Sequence, residues 1–371
     1  MAELLIADFG NSTVKVMLAG KWGSEINFKH FVEPIDKQTY DLLSNSFDLS
    51  LGFGGTAIFE TGGKYYRVGN GADSGKRING ANKYSKDHIT VTMLASLLHL
   101  LPATSTVNVI VTHPAKATPT QIKMLIDALQ GKYTVSVPSG NKQTTITYTV
   151  NKVNPIPEIV AGFQDFLINR KGTEYKQNEL LKIGSRFLIF DGGGKISGFA
   201  PMIINDNGRA EIAFNPRYQL GINAGVQDVE IALNNLLLNN IPAFSKFFSV
   251  PLNLLHEAIH TGSIKINKDV TLDVSAYVDQ AMAVLATGIY EQFESDYNLG
   301  VGFEGVLILG GGGGITSKYM SKTVFQNMYT YLTEPDINKM QYDKIYGANK
   351  GLLVAKAQKA RLEQEYQANN G

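Results

Sequence analysis

The chain has 371 residues, 44% hydrophobic and 18% charged, which suffices for a sizeable core and excludes wholesale disorder. Its 34 Lys+Arg against 33 Asp+Glu leave a formal charge of +1, so no global field favours nucleic acid, membrane or acidic partners. Cysteine is absent, which excludes disulfides, thiolate zinc sites, iron–sulfur clusters and cysteine nucleophiles. By length, two to three domains are expected. The start, MAELLIADFG, lacks a basic segment followed by a long apolar stretch, so no signal peptide is expected. The longest apolar run, Leu94 to Ala103, holds His99 and Pro102 and falls far short of a bilayer span. A cytoplasmic protein is the expectation. Glycine stands out: 37 residues, about a tenth of the chain, against about 7% in ordinary proteins.

In chain order, Leu4 to Ala7 is an apolar run ending in Asp8-Phe9-Gly10-Asn11-Ser12-Thr13. Short aliphatic runs bounded by glycine read as buried strands entering tight loops. A strand from Val14 to Leu18 follows, turns at Gly20, and another begins near Ile26. Val107 to Thr112 is a buried-type strand closing on His113-Pro114. Thr118 and Pro119 then supply an N-cap and a first helical residue for a helix to about Gln130. Thr134 to Val153 alternates around Ser139-Gly140-Asn141 and predicts a hairpin, ended by Pro155 and Pro157, before a helix over Glu158 to Ile168.

The second apolar run, Phe187 to Phe190, ends in Asp191-Gly192-Gly193-Gly194-Lys195. A strand from Ser197 to Ile204 follows, with Asn207-Gly208 as a hairpin turn into Ala210 to Phe214. Helices are expected over Gly225 to Asn239 and Val274 to Ser295. The third run, Val306 to Leu309, enters a loop of five glycines, Gly310 to Gly314, and an amphipathic helix covers Gly351 to Gln367. Strands and helices mixed in this order give an α/β fold. The unit of strand, Asp, glycine turn, strand, turn, strand occurs twice, with Asp8 and Asp191 183 residues apart, which predicts a duplicated domain.

Glycine-rich turns leaving buried strands present unhindered backbone N–H groups that wrap phosphate oxygens. Asp8 and Asp191 each stand at a strand's C-terminal end, where open α/β sheets bind ligands. Two carboxylates converging on a triphosphate would hold Mg2+, usually through its waters. Lys15 and Lys195 are candidate phosphate contacts. One glycine-rich strand end alone is more often a plain turn. Three, two of them with a matching Asp, favour phosphate binding. Neither a P-loop pattern nor a G-x-G-x-x-G dinucleotide fingerprint opening a βαβ unit is found.

Five segments stand in a telling order: Asp8 to Lys15, Pro157 to Phe163, Asp191 to Lys195, Leu309 to Thr316, and Gly347-Ala348-Asn349-Lys350-Gly351-Leu352. Together they resemble the actin-like ATPase superfamily, and most closely its ParM-type bacterial plasmid-segregation proteins. Val68 to Ala72 is similar to a further segment of actin-like N-terminal domains. The resemblance implies a duplicated actin-like (ribonuclease H-like) fold, two lobes with a nucleotide cleft between them. The lobes would be 1–156 plus 345–371 and 157–344, with a smaller subdomain at about 216–275. It implies ATP, with GTP as the alternative, and Mg2+ at Asp8 and Asp191 through water. Gly10, Asn11, Ser12, Lys15, Gly193, Gly194, Lys195 and Gly310, Gly311, Gly312 and Gly313 would contact nucleotide. Glu158, Asp8 and Asp191 would be the catalytic carboxylates, Glu158 orienting or deprotonating the attacking water. Taken alone, Glu158 reads as a first-turn glutamate complementing a helix dipole.

One departure concerns turnover. The family's second phosphate loop continues to Thr and then Asp or His, where this chain has Ile196, Ser197 and Gly198, so slow hydrolysis is expected. The resemblance also implies head-to-tail filaments and a cytomotive role such as plasmid or other DNA partitioning. DNA would be held through an adaptor protein rather than directly. The rival readings are a small-molecule kinase of the same superfamily and a non-hydrolysing scaffold.

Two other signals compete. His256-Glu257-Ala258-Ile259-His260 matches the zincin pattern H-E-x-x-H, yet no downstream histidine supplies a third ligand, and a surface helix is the plainer reading. Lys76, Arg77, Lys83 and Lys86 near Tyr65, Tyr66 and Tyr84 form a basic-aromatic stretch, read as a solvated loop or subunit contact before a DNA site. Trp22 reads as a packing residue.

Overall fold

The first apolar run becomes β1 (Glu3–Phe9), whose last five residues are buried. In this computed structural model the described residues are 2–11, 13–46, 55–70, 72, 76–77, 86–139, 142–168, 182–206, 210–213, 224–246, 249–326 and 341–370. They form two units, Met1–Tyr175 with Lys344–Gly371, and Lys176–Asp343.

In the first unit, β1 pairs antiparallel with β2 (Thr13–Leu18), which pairs with β3 (Ile26–Lys29). The chain continues through β4 (Phe31–Ile35), α1 (Lys37–Ser46), β5 (Thr56–Thr61), β6 (Lys64–Gly69) and β7 (Lys76–Arg77). Helix α2 (Lys86–Leu100) follows, with Ile89, Met93, Leu94, Leu97 and Leu98 all in the core. A helix this apolar on several faces belongs inside. β8 (Ser105–His113), expected as a buried-type strand, runs parallel to β1 and is buried from Val109 to His113. α3 (Pro119–Leu129) begins at the Thr118 N-cap in a full capping box with Gln121. β9 (Gly131–Ser139) and β10 (Lys142–Pro157) form the hairpin, and α4 (Glu158–Leu167) leaves it. The sheet order is β3-β2-β1-β8-β10-β9-β5-β6-β4-β7.

Pro155 does not end the hairpin. It sits inside β10, opposite Val111 of β8, while pairing with β9 stops at Val150. Beyond that point the strand is paired on one side only, so a residue lacking an N–H is tolerated there.

The second unit repeats the plan with β11 (Arg186–Gly192), β12 (Ser197–Ile204) and β13 (Ala210–Ile212). Then come α5 (Val226–Asn240), α6 (Leu252–Thr261), β14 (Ser263–Lys265), β15 (Thr271–Asp273), α7 (Ser275–Tyr297) and β16 (Gly305–Leu309). Its sheet, β13-β12-β11-β16, has two antiparallel pairs and one parallel pair, matching β3-β2-β1-β8 strand for strand. The duplication expected from the repeated motif is real. Phe190, Phe199, Phe293 and Phe325 pack ring on ring in its core, with centroids 5.4 to 5.9 Å apart.

Two elements differ from expectation. The five glycines are not a loop but the opening of a helix, α8 (Gly310–Met320). A Cβ on Gly312 would overlap the Gly192 carbonyl and stand 2.9 Å from a Val226 methyl, so close packing overrides glycine's poor helix propensity. The C-terminal helix, α9 (Asp343–Asn370), starts eight residues before Gly351, because its first turns are buried against α4. The turn residues Gly140, Asn141, Asn207 and Gly208, and residues 216–223 of the expected subdomain, lie outside the described residues. So do Gly71, Lys83 and Tyr84.

Two α2 histidines carry a pH dependence. Burial pushes the His88 imidazole down from 6.5 to about 4 and lowers that of His99. Both stay neutral in the folded chain where the unfolded chain already binds a proton. Stability is therefore highest above pH 6.5 and falls progressively towards pH 4. The urea midpoint should drop between about pH 7 and pH 4.5, and His88→Phe should flatten that drop. An unchanged slope in the variant would count against burial as its source.

Candidate functional site

The end of β1 is built around a buried carboxylate. The β1–β2 register sets Asp8 opposite Lys15, and the Lys15 ammonium donates to Asp8 Oδ2 at 3.1 Å. Thr112, at the end of parallel β8, donates its hydroxyl to Asp8 Oδ1 at 2.9 Å. Both oxygens of Asp8 are thereby held in place. The next turn is fixed by a residue that sequence patterning does not single out. Fully buried His30 donates from Nδ1 to the Gly10 carbonyl at 2.6 Å, while its Nε2 lies 3.0 Å from Thr92 Oγ1. A carbonyl accepts only, so this contact sets the tautomer. In a trans peptide the C=O and the following N–H point in opposite directions. Holding Gly10 O on His30 therefore aims the Asn11 N–H away from His30. The Asn11 side-chain Oδ1 is buried without a hydrogen-bond partner among the described residues. Ser12 lies outside them.

Glu158 opens α4 directly after Pro157 and is buried. Lys344, in the first turn of α9, donates to its Oε2 at 3.0 Å. One and a half turns on, Lys350 meets Asp165 Oδ1 at 2.6 Å and the Asp165 carbonyl at 2.8 Å. Between them Gly347 lies so close that a Cβ would overlap the Ala161 carbonyl. Asn349 Oδ1 accepts from the Gly20 N–H at 2.8 Å, and Trp22 packs on Tyr346 with ring centroids 5.3 Å apart. Trp22 is a packing residue, as read from sequence.

In the second unit Asp191 ends β11, and the turn of Gly193 and Gly194 rests on α5. Their carbonyls accept from Val226 and Gln227 N–H at 3.2 and 2.8 Å. Gly310 takes a positive φ of 80°, and a Cβ there would stand 2.7 Å from Asp191 Oδ1, so only glycine fits. Its N–H donates to Asp343 Oδ2 at 2.6 Å. Gly311, Gly312 and Gly313 complete the first turn of α8, whose N-terminal amides and dipole suit an anion. Lys195 is exposed. The strand register adds a finding: Gly198 faces Asp191 on β12 at the position where Lys15 faces Asp8 on β2. The first carboxylate has a cross-strand ammonium and the second has no side chain at that place.

Hard carboxylate oxygens at Asp8 and Asp191 are the donor type Mg2+ takes. Among the described residues no three His, Cys, Asp or Glu side chains gather as a metal cage. Each carboxylate by itself fits an ion carried mainly by phosphate oxygens and water. The H-E-x-x-H segment does not fit zinc. There, His256 is paired with Glu230 at 2.6 Å and His260 is exposed on α6, so this is a surface helix. Among the described residues no helix is long and apolar enough to cross a membrane.

A duplicated sheet with an Asp at the end of each first strand, glycine turns beside them and a glycine-opened helix is the actin-like fold. Residues 7–160 match the family model described as the N-terminal domain of actin-like proteins. Solved structures agree along nearly the whole chain. The actin-like protein Alp7A is 14% identical, covering 99% of this chain and 100% of its own, with a TM-score of 0.72. The archaeal actin homologue Ta0583 in complex with ADP is 15% identical, covering 94% and 99%, at 0.67. The protein of a 15-stranded ParM filament from Clostridium botulinum is 15% identical, covering 94% and 99%, at 0.65. No curated protein matches this chain by sequence.

Proposed function

We propose that this chain is an actin-like ATPase that binds ATP with Mg2+ through the glycine segments of its two units and assembles head-to-tail into filaments. Plasmid or other DNA segregation is the role this suits, with DNA engaged through an adaptor protein. The observation that carries the reading is the matched pair of strand ends, Asp8 with Gly10 and Asp191 with Gly192 to Gly194, on a repeated sheet. The ADP bound to Ta0583 and the filament made by the Clostridium botulinum ParM support it by likeness of fold.

Backbone amides around Gly10, Gly193 and Gly311 would hold phosphate oxygens, with the Lys15 ammonium beside them as a point charge. Bound Mg2+ would neutralise charge on the β- and γ-phosphates. Asp8 and Asp191 would hold waters of that ion. Glu158 would accept a hydrogen bond from the attacking water and fix its direction. The water oxygen bonds to the γ-phosphorus, the bond from that phosphorus to the bridging oxygen breaks with its electron pair left on ADP, and the water proton passes to the released phosphate. Gly198 facing Asp191 favours slow turnover, and a non-hydrolysing scaffold is the limiting form of that reading.

Titration calorimetry with ATP, GTP and ADP, run beside a phosphate-release assay, tests the proposal. Tight binding of ATP with measurable release is expected. Binding without release would leave the scaffold reading, and no binding at millimolar nucleotide would overturn both. Gly312→Ala should abolish nucleotide binding, because its Cβ meets the Gly192 carbonyl and a Val226 methyl. Overpacking of this kind costs about 1–3 kcal/mol, readable as a lower unfolding midpoint. Retained affinity would show that this packing is not needed for the site.

A further inference from the structure

We propose that Lys344 is the positioning residue of Glu158, fixing the direction in which its carboxylate holds the attacking water. The inference rests on the hydrolytic reading above. A glutamate side chain has three rotatable bonds, and aiming a water requires one rotamer rather than many. The backbone of Glu158 is set by the start of α4, directly after Pro157. Its carboxylate is set by the ammonium of Lys344, 3.0 Å from Oε2. A cation on one oxygen fixes the plane of the carboxylate and hence the direction of Oε1.

Lys344 can do this because it is itself held. It opens the helix that Lys350 fastens to Asp165 at 2.6 Å, that Gly347 seats against Ala161, and that Asn349 fastens to Gly20 at 2.8 Å. These contacts also separate a positioning role from plain stitching. Lys350 already joins α9 to α4 through a side chain and a carbonyl. The side chains of Lys344 and Glu158 are only 10% and 11% exposed, and desolvating an ammonium is costly. A second buried lysine is therefore not needed to join the two helices, and its ammonium stands on the carboxylate proposed to meet the attacking water.

The test compares Lys344→Met, Lys344→Gln, Lys344→Arg, Lys350→Met, Glu158→Gln and the double variant Glu158→Gln/Lys344→Met in the full chain. Phosphate release at saturating ATP, the dissociation constant of a fluorescent ATP analogue, and the thermal midpoint are read for each. Lys344→Met should lower kcat about tenfold or more with the dissociation constant within about twofold, and Lys344→Arg should recover most of the loss. Lys350→Met should lower the midpoint at least as much as Lys344→Met does while lowering kcat far less, since Gly347 and Asn349 still seat the helix. The double variant should be no slower than Glu158→Gln alone, since the lysine acts through the glutamate. If Lys344→Met does not fold, Lys344→Gln carries the same expectation, keeping a donor without the charge. Native kcat in both Lys344→Gln and Lys344→Met, with Glu158→Gln slow, overturns the inference and leaves the hydrolytic reading intact. Native kcat in Glu158→Gln sinks the hydrolytic assignment itself, whatever Lys344 does.

Discussion

Glu158→Gln is expected to slow phosphate release about a hundredfold or more, with ATP affinity and ATP-dependent assembly retained. The size follows from what a positioned carboxylate contributes to a reaction of water, commonly 10²–10⁴-fold (about 3–5 kcal/mol). Glutamine keeps the length and an acceptor oxygen but loses the charge that orders the water and answers Lys344 at 3.0 Å. Binding should survive because the proposed phosphate contacts come from Gly10, Gly193 and Gly311 and not from α4. A polymer that cannot hydrolyse its nucleotide should also last longer. Release at the native rate would return Glu158 to a helix-dipole role, stabilising α4 by its position in the first turn.

Gly347→Ala is expected to cost about 3 kcal/mol, at the upper end of what overpacking produces. An added Cβ would overlap the Ala161 carbonyl and stand 2.7 Å from the Asp165 amide nitrogen, and neither backbone atom can swing aside. The helices must part. The Lys344–Glu158 and Lys350–Asp165 pairs on either side then lose their geometry together. Gly351→Ala is the control. Its Cβ meets only the end of the Gln164 side chain, which can rotate. Alanine also gains up to about 1 kcal/mol over glycine in a helix, so the net change there should be near zero. Urea titration of both variants reads the contrast directly. Equal stability of Gly347→Ala and the native chain would mean that α4 and α9 leave room for a Cβ between Gly347 and Ala161.

The duplicated fold was legible because its signature is local. Each copy writes strand, Asp, glycine turn and strand within about thirty consecutive residues, and the register of β1–β2 and β11–β12 follows from that alternation. Helices with strong punctuation, such as α3 behind Thr118 and Pro119, were equally legible. What escaped the sequence was non-local. Five glycines read as loop because their helix propensity is poor, yet Gly310, Gly312 and Gly313 of α8 stand against Gly192 where a Cβ would crowd it. The helix was expected only from Gly351, whereas α9 begins at Asp343 and buries Lys344 and Lys350 in its first turns. Of the proposed site, the sequence pointed to Asp8, Lys15, Glu158 and Asp191. It did not point to the groups that hold them. Thr112 lies 104 residues from Asp8, and Lys344 lies 186 residues from Glu158. His30 carried no motif at all, and its contact with Gly10 spans 20 residues and a β-hairpin. No spacing rule links such pairs.

A filament-forming ATPase assembles in response to nucleotide. Sedimentation and light scattering with ATP, GTP, ADP and no nucleotide, across salt and protein concentration, measure this most directly. Pelleting with a triphosphate, and its decay as phosphate is released, is the predicted result. A chain that stays in the supernatant under every nucleotide would contradict the claim that this is a filament-forming ATPase.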